Sequence, residues 1–178
     1  PPRLEQRHHP RARRDHMTRP ARARLAAEMK AFTKLLARPV RGHGNGTGAD
    51  VIMRWQTGFP FGISFNRGYP RYNPGEFSTV DVLVRGDCDA AFIIGADPGA
   101  TSPQPAIEHL KRIPTIVFDP HIPHTSKLAR VHITTAAQGI SAPGTAYRMD
   151  EIPMPLKPAL KSPYPTDEEV VRRISEAI

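Results

Sequence analysis

Apolar positions recur with a readable period in two parts of the chain and lose it in the stretch between them. Leu25, Met29, Phe32 and Leu36 follow at steps of four, three and four, which draws one apolar stripe along a helix. Thr18 as N-cap and Pro20 in the first turn predict its start, and Pro39 its end near Arg38. From Ser78 onward, short patterned segments alternate. TVDVLVRG reads as a helix capped by Ser78 and closed by Gly86. CDAAFIIG (88–95) reads as a buried strand, PAIEHLKR as a short helix, and PTIVFD (114–119) and RVHITT (130–135) as two further strands. PTDEEVVRRISEAI puts Glu169 three positions after Thr166, a capping box that opens a terminal helix. Strands alternating with short helices predict a parallel α/β sheet, whose ligand sites lie beyond the strands' carboxyl ends. The loops in that position are Gly95–Thr101, Asp119–Thr125 and Thr135–Tyr147, the last reading as long and irregular.

The stretch between, RWQTGFPFGISFNRGYPRYNPGE (54–76), mixes Trp55, Phe59, Phe61, Phe65, Tyr69 and Tyr72 with Arg54, Arg67 and Arg71. Gly58, Pro60, Gly62, Gly68, Pro70, Pro74 and Gly75 leave no helical or strand period. Aromatic and Arg side chains on an irregular backbone predict a surface that meets a ligand, a cofactor or another protein chain. Just before it, RGHGNGTGAD (41–50) reads as a tightly turned loop. Its G-x-G-x-G-x-G spacing is not that of a dinucleotide fingerprint, and no Gly-Lys-Ser/Thr follows.

Charge divides the chain unevenly. Residues 1–41 carry 12 Lys and Arg against 3 acids, whereas the remainder carries 13 against 14. The excess of +8 therefore belongs to the N-terminal region, and the rest is near neutral. Residues 1–17, rich in Arg, His and Pro, are expected to be a disordered basic arm, and 18–178 a single α/β domain. That arm could contact nucleic acid phosphates, but no binding fold accompanies it, so a solvated extension is the preferred reading. No apolar run reaches the roughly 20 residues of a membrane span, and no secretory leader opens the sequence. A cytoplasmic location follows as the default. The chain begins with Pro, and a fragment, a processed product or an extended gene model would each account for it.

One cysteine, Cys88, excludes an internal disulfide and any four-cysteine zinc or iron–sulfur site made by this chain alone. Asp87 and Asp89 flank it and predict a raised thiol pKa, the wrong direction for a nucleophile. His121, His124 and His132 lack metal-ligand spacing, so no metal site is expected. Asp97 and Asp119, each before a proline at a strand end, could cap turns or grip a nucleotide's ribose or base.

GFPFGISFNRGYPRYNPGE, VRGDCDAAFIIGADPGA, and IPTIVFDP followed by GTAYRMDEIPMPLK together resemble the B subunit of formylmethanofuran dehydrogenase. They are equally similar to its relative in the bacterial formyltransferase/hydrolase complex, over roughly residues 40–175. The resemblance implies a Rossmann-like α/β domain of the molybdopterin oxidoreductase type, incomplete and matching the C-terminal part of a B subunit. In the archaeal enzyme this component binds a molybdenum or tungsten pterin guanine dinucleotide and interconverts carbon dioxide and formate. The bacterial complex moves a formyl group from tetrahydromethanopterin to a methanofuran-type carrier and hydrolyses it to formate, its B subunit having lost the metal chemistry.

Carried over residue by residue, Arg71, and after it Arg67, is the active-site arginine candidate. Gly95, Asp97, Asp119 and Thr125 fall in loops similar to dinucleotide-gripping ones. The family's metal-ligating cysteine or selenocysteine and its catalytic histidine have no match, since Cys88 lies in the wrong segment. Roughly half of a B subunit is expected to be absent. The leading expectation is a non-catalytic B-type component without cofactor, partnered by A-, C- and D-type subunits. The alternative is a piece of a true pterin-dependent catalytic subunit.

Overall fold

The computed structural model describes residues 24–34, 45–148 and 150–178. Two compact units divide between Arg41 and Gly42. The expected basic arm lies outside the described residues.

In the first unit, residues 24–29 form helix α1, with Arg24 and Glu28 paired at 2.9 Å one turn apart. The helix was expected to run to about Arg38, but turns occupy 30–33. There the bonds tighten to three-residue spacing, Ala31 N–H to Glu28 and Phe32 N–H to Met29, the manner in which helix ends commonly tighten. The predicted stripe is exposed at Leu25, Met29 and Phe32.

The second unit is built on a three-stranded parallel sheet in the order β3 (Ala91–Ile94), β4 (Thr115–Asp119), β5 (Val131–Thr134). Phe92 and Ile94 stand beside Ile116 and Phe118, and these beside Val131 and Ile133. The α/β class read from the sequence is therefore observed. The central strand is the most buried, with Thr115, Val117 and Phe118 closed to solvent. Helices α3 (Thr79–Arg85) and α5 (Gln104–Leu110) cover one face. Leu83, Ala106 and Leu110 pack there on Ala91, Ile93, Ile113 and Cys88. Burial of each leucine stabilises this layer by about 1.5–3 kcal/mol. Gly86 ends α3 in the left-handed conformation, φ 74°, which a residue with a Cβ adopts only at a cost. At the chain's end, α6 (Asp167–Ala177) opens with the expected capping box between Thr166 and Glu169.

Two expectations are corrected. The glycine-rich segment is not wholly a loop, because Gly46 opens helix α2 (Gly46–Thr57), which continues through Arg54 and Trp55 before Gly58 stops it at φ 84°. Asn45 explains the glycine at 48. Its side chain folds back across the first turn, so a Cβ on Gly48 would lie 2.4 Å from Asn45 Oδ1. The rest of the aromatic stretch is irregular apart from a minimal hairpin, β1 (Ile63–Ser64) with β2 (Arg71–Tyr72).

The second correction concerns the loop read from Thr135 to Tyr147. It ends in a strand, β6 (Gly144–Tyr147), paired antiparallel with β7 (Pro153–Leu156). The Asn45 amide lies along β6, donating from Nδ2 to Thr145 O at 2.8 Å and accepting at Oδ1 from Tyr147 N–H at 2.9 Å. One side chain thereby satisfies backbone groups that a neighbouring strand would otherwise hold. Among the described residues no helix is long and apolar enough to cross a membrane.

Candidate functional site

The carboxyl ends of β3 and β4 release two loops, and a single carboxylate joins them. Gly95 leaves β3 at φ 58°, its N–H bonded to Phe118 O at 2.9 Å. Two residues on, the Asp97 side chain turns away from its own short helix, α4 (Pro98–Thr101), and makes no capping bond to it. It reaches the β4 loop instead. Asp97 Oδ1 accepts from Thr125 N–H at 2.8 Å and from the Thr125 hydroxyl at 2.6 Å, while Oδ2 accepts from His124 N–H at 3.0 Å. The His124 ring nitrogen Nδ1 stands 3.3 Å from Oδ2. Thr125, closed to solvent, returns the contact by accepting Gly99 N–H on Oγ1 at 2.8 Å. Burial pushes the Asp97 carboxyl up, but the Thr125 hydroxyl and the two N–H groups outweigh it and hold it at about 2. A carboxylate accepting several hydrogen bonds in its charged form behaves this way.

Gly99 is the residue the lock requires. A Cβ there would meet Thr125 N at 2.9 Å and Thr125 Cα at 3.0 Å, backbone atoms that cannot swing aside. Asp97, Thr125 and Gly95 are thus brought to one lip, and Gly99 joins them without having been foreseen. Its signal was present, a glycine directly after Asp-Pro at a strand end, where a close approach of backbone is a usual reason for glycine. Asp119 sits at the end of β4, where Oδ1 accepts His121 N–H at 2.8 Å. That is the turn-capping geometry offered by the sequence. Asp97 does not cap its own turn, and its oxygens accept from the neighbouring loop instead.

The arginines belong to a different surface. Arg67 is exposed in the turn between β1 and β2, and Arg71 is half-buried with its guanidinium 5.1 Å from the Phe77 ring centre. No hydrogen bond, ion pair or ring contact joins either to the lip among the described residues. Around them the aromatics pair with one another. Phe59 stacks on Tyr72 at 5.0 Å, Phe61 meets Tyr72 edge-on at 6.0 Å, and Trp55 meets Tyr147 edge-on at 6.5 Å. Trp55 nevertheless remains 71% exposed, and Phe61, Phe65 and Tyr69 are about half exposed. Between this surface and β3 runs an apolar groove of about 290 Å³, bordered by Ile63, Phe77, Val82, Phe92 and Pro98.

No protein-family model matches the chain. Two curated proteins do. Over 139 residues it is 45% identical to the B subunit of tungsten-containing formylmethanofuran dehydrogenase 2 from Methanocaldococcus jannaschii, a match covering 78% of this chain and 32% of that one. Over 153 residues it is 40% identical to the protein of the same name from Methanococcus maripaludis, covering 85% of this chain and 35% of the other. The matched region belongs to the family of formylmethanofuran dehydrogenase B subunits. This chain spans about a third of the length of those relatives, so the share lying outside it exceeds the half that was expected. Among solved structures, a chain of the formyltransferase/hydrolase complex from Methylorubrum extorquens in complex with methylofuran superposes with a TM-score of 0.69. It is 22% identical, and the match covers 86% of this chain and 42% of that one. At that identity the likeness is one of fold.

Tungsten, in the name of both curated relatives, is a fair question to put to these residues. They do not fit it. The protein donor expected from the resemblance is a cysteine or selenocysteine, and the one cysteine of this B-type segment is Cys88, packed against the helix-covered core. Burial pushes its thiol up, with Asp89 and Asp87 adding to the effect. Its carbonyl is held by His109 Nε2 at 2.8 Å. Among the described residues no group of three His, Cys, Asp or Glu side chains could hold a metal ion.

Proposed function

We propose that this chain is a B-type component of a formylmethanofuran dehydrogenase or formyltransferase/hydrolase assembly. It serves one-carbon chemistry between formyl carriers and formate, and contributes scaffold and interface in place of a redox centre. The homology at 40–45% identity supports the assembly. One observation carries the scaffold role. The carboxylate best placed to grip a dinucleotide, Asp97, already accepts three hydrogen bonds from the opposite loop of the lip. A partly buried thiol of raised pKa supports the same reading, since it is a poor metal ligand. On this proposal the domain is an incomplete one of the molybdopterin oxidoreductase type. It binds no pterin guanine dinucleotide by itself, and it works in the cytoplasm among A-, C- and D-type subunits. Trp55, Phe61, Phe65 and Tyr69, with Arg67 beside them, have the composition of a contact between protein chains.

Purification from the native host, with partner chains identified and metals measured, tests the reading. A-, C- and D-type subunits without stoichiometric tungsten or molybdenum are expected. Stoichiometric metal on this chain would overturn the scaffold role. A second reading draws on the names of the curated relatives, both tungsten-containing. It makes the chain one piece of a catalytic B subunit whose cysteine and histidine stand on another segment. Formate oxidation that appears only when such a segment is supplied would favour it.

A further inference from the structure

Among the described residues β3 is an edge strand, paired only with β4. In a parallel ladder, alternate residues turn their backbone groups to opposite neighbours. Ala91 N–H reaches Pro114 O and Gly95 N–H reaches Phe118 O, so Ala91, Ile93 and Gly95 face β4. Phe92 and Ile94 face outward, and among the described residues their N–H groups make no hydrogen bond. The apolar groove of about 290 Å³ runs beside that margin. The same two residues stand on a sheet face that is only partly covered among the described residues. Opposite the α3–α5 layer, Phe92 is 49% exposed, Ile94 44% and Val131 43%, although Phe92 packs edge-on against buried Phe118 at 4.8 Å. All-parallel sheets are stable with both faces covered, and an exposed apolar edge is a pairing site.

We infer that this margin receives the remainder of a B-type subunit. The inference rests on reading the chain as a B-type component. A strand pairs with Phe92 and Ile94, and an apolar segment following it covers Phe92, Ile94 and Val131. The occupant is named by length, since about two thirds of each curated relative lies outside the match. Charge agrees, for neither the groove lining nor this face carries a charged side chain, so the partner surface is uncharged and apolar.

The test co-expresses this chain with the Methanocaldococcus jannaschii B subunit lacking the segment that matches it. A one-to-one complex is expected, with the Phe92 and Ile94 amides slowed at least tenfold in hydrogen exchange. Phe92→Glu should weaken co-purification at least tenfold. Ile94→Pro is the second variant, because it removes an outward N–H that the chain alone does not use. It should leave the thermal midpoint of the free chain within a few degrees and still abolish the complex. A complex that forms and ignores both substitutions overturns this docking site while leaving the B-type reading intact. No complex overturns both. A homodimer that Phe92→Glu dissociates also overturns the inference, by making the occupant a second copy.

Discussion

The lip at the strand ends and the aromatic stretch before the sheet are both rich in groups able to bind something, and they handle those groups in opposite ways. In the lip, Asp97, Thr125, His124 and Gly99 spend their hydrogen bonds on one another across two loops separated by 28 residues of sequence. In the stretch from Arg54 to Glu76, rings pair at their edges, yet Trp55, Phe65 and Tyr69 keep half or more of their surface in solvent. A group satisfied inside the fold positions; a group left exposed recognises. Polar residues at the expected ligand end of a parallel sheet are therefore insufficient evidence of a ligand site, since their bonds can all be internal.

The contrast can be broken by substitution. Gly99→Val drives a branched side chain into the Thr125 backbone and should lower stability by about 3 kcal/mol in urea unfolding. An unchanged midpoint would show that the loops are not locked. Thr125→Val keeps the shape but strands Asp97 and Gly99 N–H, and about 2 kcal/mol of loss is expected. Acid gives a third reading. Asp97 ionises at about 2 in the fold and near 4 in the unfolded chain. Its contribution is thus complete above pH 4 and lost as pH falls toward 2. A decline of about 1–2 kcal/mol over that window is expected after allowance for partial exposure. Asp97→Asn should remove this part of the acid sensitivity and leave the part due to Asp150, whose carboxyl the Arg148 guanidinium also holds low.

The aromatic side should respond in the opposite sense. Trp55→Ala costs one edge contact with Tyr147, about 1 kcal/mol of stability, and should reduce binding of sister subunits at least tenfold by calorimetry. Binding left intact would remove the stretch from the interface. The smallest effect is expected at Arg71→Lys, where a weaker cation over Phe77 changes stability by about 0.5 kcal/mol.

What the sequence made legible follows from range. The three parallel strands and α3, α5 and α6 show themselves through local apolar runs and caps such as Ser78, Gly86 and the Thr166–Glu169 box. The lip's location could be read as well, because strand ends are fixed once strands are. The hydrogen-bond partners of Asp97 could not, since they lie 27 and 28 residues away and no local pattern links them. The start of α2 was hidden by glycines that ordinarily break helices, the one at 48 required by an Asn45 side chain visible only in three dimensions. β7 was hidden by Pro153 and Pro155, which argue against a strand wherever both edges must pair.

Those prolines give the β6–β7 hairpin a property of its own. Its register sets Gly144 against Leu156 and Ala146 against Met154, while Thr145 and Tyr147 turn to the Asn45 amide. Met154 and Leu156 therefore face β6, and Pro153 and Pro155 face outward, where they have no N–H to donate. One margin of the ribbon is plugged by an amide, and the other offers carbonyl acceptors but no N–H at its two prolines. Crowded at high concentration, two copies cannot complete a two-way ladder along this ribbon. The hairpin is thereby a poor template for a further strand, without a single residue added to cover it.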